Sequence, residues 1–167
     1  MKIGVLAVQG AFIEHEHIIE KIGHEVVEIR QRKDLDGIDG IILPGGESTV
    51  QGQLLRKLDM LATIKSLIAD GLPTLATCAG LILLAGHIDN DDSVHIGTLP
   101  VTVKRNAYGR QLGSFVRTAP MKGFDEFPMI FIRAPYISSI KDNVDVLAAV
   151  NDRICLLYTS DAADEAR

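Results

Sequence analysis

Hydrophobic and polar positions fall into alternating blocks along the first half of the chain. Ile3 to Val8 is a continuous apolar run, as expected of a strand covered on both faces. From Ala11 to Ile22, the apolar residues Phe12, Ile13, Ile18, Ile19 and Ile22 are spaced among charges, which predicts a helix, and Gly23 suits its C-terminal cap. Glu25–Ile29 and Gly40–Leu43 read as second and third strands. Pro44-Gly45-Gly46-Glu47-Ser48-Thr49 breaks the third. A helical pattern then runs through Leu54, Leu55, Leu58, Leu61, Ile64, Leu67 and Ile68 as far as Gly71. Strands that alternate with helices predict parallel βαβ units, so an α/β fold with a mostly parallel sheet and helices on both faces. In such sheets the site lies at the carboxyl ends of the strands.

The stretch from Gly71 to Ala85 carries the sharpest candidate chemistry. A short apolar strand turns through Thr77-Cys78-Ala79-Gly80 into Leu81-Ile82-Leu83-Leu84. A turn this tight sets Cys78 at a helix N-terminus, where backbone N–H groups favour a thiolate, the nucleophilic form. Serine in the same geometry is the nucleophile elbow of hydrolases, where small neighbours such as Ala76 and Gly80 relieve crowding. The competing reading is a buried, inert cysteine. Gly46 N–H and Ala79 N–H would form an oxyanion hole if the two glycine-rich breaks face each other. By itself Pro44-Gly45-Gly46 is as readily a plain turn, and Ser48 a helix cap.

Beyond Asp89 the pattern changes. Asp89-Asn90-Asp91-Asp92-Ser93 reads as a solvated turn. Leu99–Val103, Gly113–Val116, Met129–Ile132 and Val144–Ala148 read as short strands that either extend the same sheet or form a small antiparallel layer. Composition adds bounds. The 167 residues suit one domain with a sizeable core. A net charge of −5 argues against a nucleic-acid partner. The two cysteines make no disulfide framework, so a cytoplasmic location is expected. No apolar run approaches membrane-spanning length, so no membrane association is expected.

Several ordered stretches resemble one family. Leu43-Pro44-Gly45-Gly46-Glu47-Ser48-Thr49 with Thr77-Cys78-Ala79-Gly80 resembles the class I (triad-type) glutamine amidotransferases. Four more stretches narrow the resemblance to the glutaminase subunits of pyridoxal 5′-phosphate synthase, the PdxT family. They are Ala7-Val8-Gln9-Gly10-Ala11-Phe12, Arg105-Asn106-Ala107-Tyr108-Gly109-Arg110-Gln111, Ser114-Phe115 and Phe131-Ile132-Arg133-Ala134-Pro135. The resemblance implies a flavodoxin-like three-layer sandwich that hydrolyses L-glutamine to L-glutamate and ammonia. The ammonia would pass to a synthase subunit of the PdxS type that builds the vitamin B6 cofactor, and no cofactor is implied for the glutaminase itself. By motif, Cys78 is the nucleophile, and Gly46, Glu47, Ser48, Arg105, Ile132 and Arg133 bind glutamine. Gly46 also serves the oxyanion. Without the resemblance, Arg105 and Arg133 would read as surface residues. Ala76 departs from the family's usual glycine.

The carboxy-terminal region departs further. The family takes its base from a late His-Pro-Glu, in which glutamate orients histidine. These 167 residues contain no such triplet; the histidines are His15, His17, His24, His87 and His95. Glu14-His15-Glu16-His17 reads as a solvated helix face rather than a metal site. Residues 1–154 are read as an amidotransferase domain, incomplete by its last strands and helix, and 155–167 as a tail that resembles translated adapter sequence. The expectations are that the natural chain continues past Arg167, that residues 1–167 alone have negligible glutaminase activity, and that a sheet edge is left uncovered. Two rival readings are a non-catalytic docking partner of the synthase and another class I glutaminase, such as that serving imidazole glycerol phosphate synthesis.

Overall fold

The computed structural model describes residues 1–89, 91–105, 114–132, 134–141 and 143–159. Its first part follows the apolar runs. Strands β1 (Lys2–Leu6), β2 (Glu25–Ile29), β3 (Gly40–Leu43) and β4 (Thr74–Ala76) form one sheet in the order β2-β1-β3-β4. Every pairing in it is parallel, with Ile3–Val5 against Gly40–Ile42 and Ile41–Leu43 against Thr74–Ala76. Helix α1 (Ile13–Lys21) connects β1 to β2. The long helical pattern divides into α2 (Ser48–Lys57) and α3 (Leu61–Ala69). The break falls at Asp59, whose φ of 55° lies outside the helical region. Helix α4 (Ala79–Leu84) follows the cysteine and lasts only six residues.

The later strands do not extend this sheet. The antiparallel alternative holds, on a larger scale than the pattern suggested. β5 (Ala85–Ile88), β6 (Leu99–Lys104), β9 (Tyr136–Ile140), β10 (Asp145–Val150) and β11 (Arg153–Tyr158) form a second sheet in the order β10-β11-β9-β6-β5. Only β5 and β6 pair in parallel. β7 (Ser114–Met121) and β8 (Phe124–Ile132) make a separate antiparallel hairpin. Sheet β11 carries the chain through Tyr158, within the stretch expected to be a tail.

One apolar core joins the two sheets. Leu6, Ile41 and Leu43 from the first meet Ile82, Leu83, Ile88, Val101 and Val103. Helix α4 lies between the sheets, which is why nearly all of it is buried. β4 ends the first sheet and leaves Leu75 53% exposed. Beside it a groove of about 1260 Å³ runs between β4 and β11, lined by Leu75, Leu81, Leu99 and Leu157 among others. Neither Cys78 nor Arg105 lines this groove. Among the described residues no helix is long and apolar enough to cross a membrane.

Candidate active site

Parallel pairing of β3 with β4 brings their two carboxyl-terminal loops side by side. Thr77 N–H donates to Leu43 C=O (3.0 Å), which extends the β3–β4 pairing to the edge of the cysteine turn. Cys78 then adopts φ 48°, ψ −101°, a conformation costly for a residue with a Cβ. The turn closes with Gly80 N–H on Thr77 C=O (2.9 Å). Gly80 must lack a side chain here, because a Cβ on it would sit 2.1 Å from Leu43 C=O. This is the sharp strand-to-helix turn expected from Thr77-Cys78-Ala79-Gly80.

The facing loop is held by the loop after β1. Ala11 N–H donates to Gly45 C=O (2.9 Å), and Glu47 N–H to Gln9 Oε1 (2.9 Å). Gln51, fully buried in α2, donates from Nε2 to Gln9 C=O (2.9 Å) and Pro44 C=O (3.3 Å). These bonds fix Gly45 against Cys78: a Cβ on Gly45 would lie 3.5 Å from the Cys78 Cβ. The two glycine-rich breaks therefore do face each other. Gly46 and Glu47 are exposed at this junction, whereas Ser48 is buried as the first residue of α2. Glu47, not Ser48, occupies the cap position, and no side chain caps the helix, so the capping reading of Ser48 is replaced.

Arg105 corrects the reading of a surface residue. It follows β6 and is half-buried, with Nη1 3.0 Å from Asp91 Oδ2 and 3.4 Å from Thr49 Oγ1. It thus reaches the start of α2, next to Ser48. Its Nε and Nη2 are buried and have no hydrogen-bond partner among the described residues. Asp91 is not merely part of a solvated turn. It also accepts the Ser93 N–H (2.9 Å), and these contacts, those of Ser93 foremost, hold its carboxyl below the ordinary range. Ile132 ends β8, paired with Ser114, so the β7–β8 hairpin rather than the parallel sheet sets its position. Arg133 and the stretch 106–111 lie outside the described residues.

One histidine, His15, differs from its sequence reading. His15 is half-buried rather than solvated, with Nε2 3.5 Å from Thr77 Oγ1; burial lowers its pKa, against the opposing effect of Glu14. His95 is buried between the two halves, with Nδ1 3.3 Å from Arg56 Nη1. Burial first, then Arg56 and Arg105, lowers its pKa. The second cysteine, Cys155, donates to Ala148 C=O (3.5 Å) in the second sheet, and burial raises its thiol pKa. Gln51, Thr49, Asp91 and His95 were not distinguished as site residues by sequence reasoning. Each is an ordinary polar residue whose partners are distant in sequence.

Comparison with known proteins identifies the family. The chain is 57% identical over 155 residues to the pyridoxal 5′-phosphate synthase subunit PdxT of Desulfitobacterium hafniense (strain DSM 10664 / DCB-2), covering 92% of this chain and 78% of that protein. It is 53% identical over 158 residues to the PdxT of Haemophilus influenzae (strain PittEE), covering 92% of this chain and 82% of that protein. A crystal structure of a glutamine amidotransferase superposes with a TM-score of 0.89 at 37% identity, covering 94% of this chain and 84% of the other. Residues 5–160 match the SNO glutamine amidotransferase family. With two glycine-rich loops meeting at a strained cysteine, the chain belongs to the SNO glutamine amidotransferase family.

Proposed function

We propose that this chain is the glutaminase subunit of a pyridoxal 5′-phosphate synthase, hydrolysing L-glutamine to L-glutamate and ammonia for a synthase subunit of the PdxS type. The observation that carries the reading is the close approach of Gly45 to Cys78 at the ends of adjacent parallel strands, in a chain whose relatives carry that name. The Cys78 thiolate attacks the side-chain carboxamide carbon, and the carbonyl electron pair moves onto oxygen. Gly46 N–H and Ala79 N–H receive that oxyanion. Collapse breaks the C–N bond, ammonia leaves with an added proton, and a glutamyl thioester remains. Water then displaces the thiolate and releases glutamate.

Glutamine is held by Gly46, Glu47, Ser48, Arg105, Ile132 and Arg133. Arg105 suits the substrate α-carboxylate, because its Nε–Nη2 edge presents two parallel N–H donors. The reaction needs no cofactor, and we assign the chain to the cytoplasm, without nucleic-acid or membrane partners. The protons require a base, and the 167 residues contain no His-Pro-Glu. We therefore expect negligible turnover from residues 1–167 alone.

The test is ammonia release from L-glutamine with the cognate synthase subunit present, for this chain and for one extended with the carboxy-terminal part of a PdxT relative. Release by the extended chain alone supports the assignment. Release by both moves the base into residues 1–167, with His15 the first to substitute because it lies beside Thr77. Release by neither favours a non-catalytic docking partner.

A further inference from the structure

We propose that Asp91 is a positioning residue for substrate: it holds Nη1 of Arg105 and so reserves the Nε–Nη2 edge of the guanidinium for the α-carboxylate of an amino-acid amide. The inference rests on the reading of Arg105 given above.

The geometry begins with how the segment from Asp91 to Gly97 is fixed. His95 lies directly on the α2 backbone: a Cβ on Gly52 would fall 2.0 Å from its Nδ1, so only glycine admits the ring. Arg56, one turn further along α2, donates to Gly52 C=O (3.1 Å) and Val94 C=O (2.9 Å). On the other side, Ile96 N–H and Gly97 N–H both donate to Leu83 C=O of α4, at 2.9 and 3.3 Å. The segment is thus fixed to both helices that open at the candidate active site.

From this anchored segment Asp91 reaches Arg105. Its Oδ1 accepts the Ser93 N–H, and its Oδ2 meets Nη1 of Arg105 at 3.0 Å. Thr49 Oγ1 takes the same Nη1 at 3.4 Å. A planar guanidinium held at one nitrogen cannot turn freely. The remaining Nε and Nη2 are buried and unpartnered among the described residues, an arrangement that is costly unless a ligand supplies the acceptors. Two parallel donors match the two oxygens of one carboxylate. A neutral amide in its place offers a single oxygen and sets an NH₂ group against the second donor. Asp91 therefore contributes discrimination without touching substrate.

The experiment compares two glutamine-mimicking electrophiles on the full chain: L-6-diazo-5-oxonorleucine and its α-carboxamide. The rate of label addition at Cys78 is read by peptide mass. The native chain is expected to prefer the carboxylate probe, and Arg105→Gln to abolish the preference. Asp91→Asn is expected to reduce it about tenfold, the scale of one charged hydrogen bond. Asp91→Glu is expected to retain most of it. Iodoacetamide, which has no carboxylate, should label Cys78 at the native rate in Asp91→Asn and Asp91→Glu. A preference lost in Arg105→Gln but kept in Asp91→Asn overturns the role of Asp91 and leaves that of Arg105 standing. So does an Asp91→Asn chain that slows iodoacetamide and both probes alike, which is the mark of a purely structural change. A native chain with no preference, or with no label at Cys78, overturns the reading of Arg105 and the inference with it. Should Asp91→Asn not fold, Thr49→Val removes the other partner of Nη1; a smaller loss of the same preference is expected, and an undiminished preference overturns the proposal.

Discussion

The two sheets divide the candidate active site between them. In the parallel sheet, β3 and β4 end side by side, so their loops start as neighbours. Backbone atoms join the strand ends there, through Thr77 N–H on Leu43 C=O and Ala11 N–H on Gly45 C=O, with the Gln9 and Gln51 side chains beside them. The second sheet contributes through side chains instead. Arg105 leaves the end of β6 and reaches across to Thr49 on α2, guided by Asp91. The proposed nucleophile, Cys78, is thus placed by strand order, whereas the proposed carboxylate anchor depends on polar contacts between distant segments. Each such contact can be removed by a single side-chain substitution.

This contrast can be broken most completely at Cys78. Cys78→Ala is expected to eliminate labelling by a glutamine-mimicking electrophile, read by intact mass, while Cys155→Ala leaves it in place. The two thiols should also separate by pH. Burial raises the Cys155 pKa, so its thiolate is scarce at neutral pH and its iodoacetamide rate climbs only above the ordinary thiol range. Peptide mapping at pH 7 and pH 9 reads this directly. A fast Cys155 at pH 7 would show that the second sheet does not shield it.

Backbone contacts come next. Gly80→Ala places a methyl group against Leu43 C=O and is expected to destabilise the fold by about 3 kcal/mol, near the upper end for overpacking. The urea midpoint of the variant measures it. Gly52→Ala drives a Cβ into the His95 ring and is expected to cost about 2 kcal/mol, less because a side chain can shift where a strand carbonyl cannot. Equal losses at the two glycines would remove the distinction between backbone and side-chain positioning. The smallest effect belongs to the surface. The Arg32–Asp59 ion pair is well exposed at 3.1 Å, and Arg32→Ala is expected to change stability by less than about 0.5 kcal/mol in the same assay.

The legible part of the sequence corresponds to the parallel half. Continuous apolar runs at Ile3–Val8 and Gly40–Leu43 marked buried parallel strands, and the Pro-Gly-Gly and Thr-Cys-Ala-Gly breaks marked their carboxyl ends. Both breaks fall at strand carboxyl ends, which allowed the loops to face each other; that β3 and β4 are neighbours came from the structure. The second half was less legible. Short strands there announce their existence but not their partners, so the choice between extending the first sheet and forming another was open.

By itself the sequence determined the α/β class, the turn that strains Cys78 and the glycines that crowd it, because each follows from local steric rules and the spacing of apolar residues. The motifs also nominated Arg105. Only the tertiary structure decided that Arg105 is half-buried beside Thr49, that Asp91 occupies its Nη1, that His95 packs against Gly52, and that His15 turns to Thr77. The physical reason is range. A backbone turn is specified by the few residues that form it, whereas a polar contact across 56 residues, as between Thr49 and Arg105, exists only once both sheets share a core.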